Sequence, residues 1–166
     1  MRTLSEEDRR ACLFQAQVFE ASCEETASGS AIFIRRFMHS AVARRFDVAG
    51  IQGETESPAE IVREVETEYG SSPYGSTRFS ADELYWMGYM YRAWCISAGI
   101  SSKVAYTQVS ARDLRKLFAP YHSLDVLDAI GRIREAKGIS QDDINVRGLE
   151  LLRRMRSLDT GGDLLD

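Results

Sequence analysis

The side chains that most often carry catalysis are scarce in this sequence, and their spacings assemble no reaction centre. There are two histidines, His39 and His122, and three cysteines, Cys12, Cys23 and Cys95. Neither histidine belongs to an HExxH or HxxxH pair and no CxxC occurs, so the ligand spacings of a zinc site are missing. GxSxG, GxxxxGK[ST] and GxGxxG are missing too, which leaves no motif for a hydrolase nucleophile, a phosphate-cradling loop or a dinucleotide site. A cysteine nucleophile needs a histidine beside it in space. All three cysteines fall on apolar stripes, the setting of a packing residue. The expectation is a protein without catalytic residues, metal or cofactor.

Binding chemistry has better candidates. Arg35, Arg36 and His39 share one face of an amphipathic stretch and suit phosphate or the carboxylates of a partner. Their stretch, Ser30–Asp47, holds four Arg against one Asp. Glu54–Glu68 holds six Glu against one Arg, so these two segments can instead neutralise each other within the fold. Arg92 is a lone charge in an apolar run, costly unless paired. It is expected to form an ion pair, to stack on a ring such as Tyr89, or to hold a partner. Tyr74 follows Pro73 in a turn-rich connection and is expected to carry its ring on a flexible turn. The chain is rich in Tyr, Trp, Met and Arg, types favoured at interface centres. A further pattern, Cys95 to Ser101, looks like the inner corner of a helix-turn-helix, with Gly99 at the turn and Lys103–Gln108 as the following helix. That helix has little positive charge to grip phosphate.

These residues need elements to position them, and the sequence reads as helices throughout. The organising stretch is SADELYWMGYMYRAWCISA, Ser80 to Ala98. Ser80 with Glu83 forms a capping box. From Leu84 to Ile96 apolar and aromatic side chains cover every side, so this helix has no solvent face and belongs at the centre of a fold. It is shorter than the roughly 20 residues of a membrane span. Gly88 sits one turn before Arg92, where close approach of another backbone would explain a residue that costs about 1 kcal/mol in a helix. Around it the pattern predicts a helix from Ser5 to Thr26, one over Ser30–Asp47, and one from the Ser57-Pro58-Glu60 start to Gly70. It predicts a short one at Lys103–Gln108, DLRKLF ended by Pro120, one restarting at Ser123, and a last one capped by Ser140 with Asp143. No stretch alternates with period two. The expected fold is all-α, about seven helices around Leu84–Ile96, one domain over 1–158 with a disordered tail over 159–166.

The 166 residues and 44% apolar content suit a single domain with its own core. The net charge of −4 gives no general reason to expect nucleic acid or an anionic membrane as the main partner. Cys12 and Cys23, on one predicted helix, would stand about 16 Å apart, too far to bridge. Unpaired cysteines and a charged N-terminus without an apolar signal core point to the cytoplasm.

Four strings in order, SGSAIFIRRFMHS (28–40), ELYWMGYMYRAW (83–94), ISSKVAY (100–106) and LRKLFAPYHSLDVLDAI (114–130), resemble small bacterial helical proteins of the antitoxin side of toxin–antitoxin gene pairs. The resemblance spans roughly Ser28 to Ile133. It implies a non-enzymatic antitoxin that binds and neutralises a cognate toxin encoded by a neighbouring gene. Toxins paired with such helical antitoxins include enzymes of ADP-ribosyltransferase type. The candidate contacts are Arg35, Arg36, His39, Tyr74, Tyr85 and Arg92. The alternative is a transcriptional regulator that binds promoter DNA through the Gly99–Gln108 corner.

Overall fold

The computed structural model describes residues 1–49, 55–140 and 152–153. The chain divides into two compact units, Met1–Ile130 and Gly131–Asp166. Among the described residues every regular element is a helix: α1 (Glu6–Glu25), α2 (Ser30–His39), α3 (Ala41–Ala49), α4 (Pro58–Tyr69), α5 (Ala81–Ala98), α6 (Ser102–Gln108), α7 (Ala111–Lys116), α8 (Phe118–Tyr121) and α9 (Val126–Ala136). The all-α expectation holds. Among the described residues no helix is long and apolar enough to cross a membrane. Of the expected last helix after Ser140 only Leu152 and Arg153 are described, and both are helical; the rest of it and the tail 159–166 lie outside the described residues.

In the first unit α5 is the centre. Ser80 caps it with Glu83 answering in a full capping box, and Gly99 ends it in the left-handed region at φ 65°. Leu84, Met87, Met90, Tyr91, Ala93, Trp94 and Cys95 are buried, whereas Tyr85, Tyr89 and Ile96 on the remaining side are half-buried, so the expected burial on every side is not complete. Tyr91 donates its hydroxyl to Val109 O at 2.7 Å, and Trp94 donates Nε1–H to Gln108 Oε1 at 2.9 Å. Both polar tips are therefore met by the segment that closes α6, as buried Tyr and Trp require.

The main partner of α5 is α1. Gly88 lets them touch. A Cβ built there would stand 2.7 Å from Gln15 O and 2.9 Å from Ala16 Cα. Without it the backbones meet, and Gln15 Nε2–H donates to Gly88 O at 3.1 Å. The same glutamine offers Oε1 to Arg92 Nε at 2.8 Å. Arg92 then reaches Asp47 Oδ1 of α3 at 2.8 Å through one terminal nitrogen and Ser102 Oγ of α6 at 2.9 Å through the other. Ser102 returns its hydroxyl and backbone N–H to Asp47, at 2.7 and 2.9 Å. The guanidinium also lies over Phe46, 5.9 Å from the ring centre, rather than over Tyr89. One buried network thus joins α1, α3, α5 and α6, and its polar groups satisfy one another.

Two boundaries depart from the sequence pattern. The stretch Ser30–Asp47 is two helices, because Ser40 adopts an extended conformation at ψ 163° and accepts from Ala43 N, capping α3. Glu68 of α4 adds its carboxylate to Ala41 N at 3.0 Å, a charge placed at the positive end of α3. Pro120 does not stop a helix. It sits inside the four-residue α8, in a first turn where no N–H is missed. The next helix starts at Val126 instead of Ser123, because Asp125 Oδ1 accepts from Leu127 N and Asp128 N.

Candidate functional site

α2 turns Ser30, Phe33, Ile34, Phe37 and Met38 into the core. At about 100° per residue this leaves Ala31, Ile32, Arg35, Arg36 and His39 on the opposite arc. Arg35 is exposed, and the other four are half-buried by flanking elements. At the C-terminal end of this face Arg36 stacks on Tyr69 of α4, 5.8 Å from the ring centre, and donates to Gly70 O at 3.4 Å. His39 packs edge-on against Tyr106 of α6, and its Nδ1 faces Arg35 O at 2.8 Å. The expected neutralisation by α4 is divided. Arg45 of α3 pairs with Glu64 at 2.9 Å, whereas Arg35 meets no carboxylate among the described residues.

At the N-terminal end the face meets the 70–79 connection. α2 has Gly29 as its N-cap residue, without a side chain to cap the helix. The connection supplies the cap from a distance. Tyr74 O accepts from Gly29 N, and Thr77 O accepts from Ser30 N, each at 3.0 Å. Ser30 Oγ in return accepts from Phe79 N at 2.9 Å. Arg78 donates to Thr26 O at 2.9 Å, meeting a carbonyl at the end of α1. Backbone passes so close that a Cβ on Gly29 would stand 3.1 Å from the Gly75 carbonyl carbon, and Gly75 itself has φ +77°. Tyr74 is therefore 71% exposed on a tied backbone, not on the flexible turn that its sequence suggests.

Beside Tyr74 a groove of about 530 Å³ runs between α2, the connection and α7. Ile32 and Phe79 are among its apolar lining, and Arg112, Arg115 and Lys116 are its charged residues. Arg115 is fixed: it donates to Glu83 at 2.8 Å and covers the Phe79 ring at 4.3 Å. Lys116 has a loose exposed pair with Asp113 at 3.9 Å, and Arg112 has no carboxylate partner among the described residues. Sequence reasoning overlooked these three cations. Their spacing at i, i+3 and i+4 was the available signal, since it places them on one side of α7.

The structure thus brings Arg35, Arg36 and His39 onto one face with Tyr74 at its end. It does not bring Arg92 there, which is 2% exposed and bonded through all three nitrogens inside the fold. Tyr85 is half-buried on α5 and lies near Tyr89, one turn on, away from α2. The helix-turn-helix corner has the expected left-handed Gly99 and a Ser101 cap. Its second helix is only seven residues long, with Lys103 its only cation.

A second groove, about 820 Å³, opens between α1, α3 and α5. Its charges largely answer one another, Arg92 with Asp47 and Arg2 with Asp8 at 2.8 Å. The Cys95 thiol on its wall is pushed up by burial to about 11, and Cys12 likewise to about 12. Both are protonated near neutrality, which removes their nucleophilic form. The histidines do not activate them: His39 lies on Tyr106 and His122 stacks on Phe118. Comparison with models of protein families, with curated proteins and with solved structures finds no match for this chain.

Proposed function

We propose that this chain is a non-enzymatic antitoxin of the bacterial cytoplasm, which neutralises a cognate toxin by covering its active site or holding it in an inactive state. The α2 face is the contact surface, with Arg35, Arg36 and His39 along it, Tyr69 and Tyr106 at one end and Tyr74 at the other. The observation that carries this reading is a Tyr74 ring that is 71% exposed on a backbone tied by hydrogen bonds. An aromatic on an ordered backbone has only two side-chain torsions to lose when a partner covers it, and Tyr and Arg are enriched among residues that dominate interface energetics. The likeness to antitoxin-side proteins supplies the partner.

The test is co-expression with the product of the adjacent gene. The adjacent product alone should arrest growth, this chain should relieve the arrest, and the two should elute together in gel filtration. Arg35→Glu should abolish relief while leaving the circular dichroism spectrum intact. A neighbour that is harmless alone, or a pair that separates on the column, refutes the proposal.

A further inference from the structure

We propose that the groove between α2, the 70–79 connection and α7 receives an acidic, partly apolar segment of a partner protein. The inference rests on the partner-binding reading above and adds the chemistry of what is bound. Among the described residues the lining carries three cations and no carboxylate. This local excess stands out in a chain of net charge −4. The backbone N–H groups of Gly29 and Ser30 already donate to Tyr74 and Thr77, so they are not the anion-binding element. Arg112 and Lys116 are.

The groove is also not a bare basic patch. Ala31 and Ile32, both half-buried, offer apolar contact, while Phe79 beneath is buried and covered by the guanidinium of Arg115. Tyr74, with its exposed ring, belongs to the same lining. A segment alternating carboxylates with apolar side chains meets both demands: carboxylates to Arg112 and Lys116, apolar groups to Ala31, Ile32 and the Tyr74 ring. Nucleic acid fits less well. A phosphate backbone could meet Arg112 and Lys116 but brings no apolar side chain to Ala31 and Ile32. The volume lies within the 300–1,000 Å³ range of ligand pockets.

The test uses the full chain and a fluorescein-labelled peptide of alternating Glu and Leu, followed by anisotropy at low salt. A peptide with Gln for Glu, inorganic phosphate and a deoxythymidine oligonucleotide serve as comparison probes. The acidic peptide should bind at least tenfold more tightly than its Gln counterpart. The doubly substituted Arg112→Glu, Lys116→Glu chain should lose at least tenfold, and Tyr74→Ala should lose several-fold at unchanged helicity. Equal binding of the Glu and Gln peptides, tighter binding of the oligonucleotide, or displacement by phosphate at concentrations matching the peptide each overturns the proposal. The adjacent gene product is tested in parallel. If the peptide responds as expected but no complex with that product forms, the antitoxin reading fails and the groove assignment stands. If that complex forms and survives the double charge reversal unchanged, the groove assignment falls and the antitoxin reading stands.

Discussion

Replacing Gly88 by alanine sets two physical effects against each other. Helix propensity alone favours alanine over glycine by about 1 kcal/mol in a helix interior. The new Cβ, however, would meet Gln15 O at 2.7 Å and Ala16 Cα at 2.9 Å. Both are backbone atoms of α1 and have no rotamer to escape into. Restoring ordinary contact at 3.4 Å requires α1 to retreat by about 0.7 Å. A gap of that size forfeits a quarter to a half of each dispersion contact across the interface, and overpacking of this kind costs about 1–3 kcal/mol. The retreat also stretches the Gln15–Gly88 and Gln15–Arg92 hydrogen bonds, each worth about 1 kcal/mol. The net expectation is a loss of about 2 kcal/mol, which lowers the melting temperature by roughly 4–8 °C at this chain length. Urea and thermal unfolding followed by far-ultraviolet circular dichroism measure it. Gln17→Ala on the exposed side of α1 is the control and should stay within about 0.5 kcal/mol of the parent. A Gly88→Ala chain as stable as the parent, or more so, would show that propensity wins and that the helices do not meet as described.

Other expectations follow from the same contacts. Arg92→Met should cost about 3 kcal/mol, near the low end for breaking a buried pair because Asp47 keeps both Ser102 bonds. Adding Asp47→Asn should return at least about 1 kcal/mol of that loss in urea melts, and strict additivity would deny the pairing. In thiol titration at pH 8, Cys12 and Cys95 should stay unreactive in the native chain and Cys23, less buried, should react first; all three should react in denaturant. A fast native reaction at Cys95 would contradict its burial. Acid should destabilise the fold through Glu64 and Glu83. The Arg45 bond lowers the Glu64 carboxyl against its burial. For Glu83, burial raises the carboxyl, but the Arg115 and Ser80 bonds together outweigh it. With folded values below unfolded ones, their stabilisation is complete above about pH 4.3 and fades as pH falls below it. In unfolding curves taken between pH 6 and pH 3, Arg115→Gln should show a shallower acid decline than the parent; parallel curves would remove Glu83 from the account.

The sequence announced the elements better than their joints. Capping boxes at Ser5, Ser57 and Ser80 all form, and α5 is central because its apolar residues bury most of its circumference. Gly88 and Arg92 were also legible as exceptions, since a glycine and a charge in such a helix demand a close neighbour and a partner. The identity of those neighbours was not. Gln15 and Asp47 lie 77 and 45 residues from Arg92, and periodicity carries no information over that distance. The break at Ser40 was hidden because apolar spacing runs through it, while the competing serine cap and the Glu68 contact are tertiary. The candidate site followed the same division. Arg35, Arg36 and His39 share a face by local geometry. The docking of the 70–79 connection onto α2, and the approach of Arg112 and Lys116 to Tyr74, depend on how distant segments fold together.

The contact between α1 and α5 has a consequence for how the chain comes into being. Gln15 and Gly88 are separated by 73 positions. At about 5–20 residues per second, α1 leaves the ribosome roughly 4–15 s before its partner helix does. During that interval the Gln15–Ala16 side of α1 lacks its α5 cover, although Phe19 can already meet Phe33 and Phe37 of α2. The closure that ends this wait is long-range and carries a loop-entropy cost that local helix formation does not repay. Slowing translation before Ala98 should therefore lower soluble yield more than slowing it after Ile130, and a chaperone that shields apolar helices should matter most in that window.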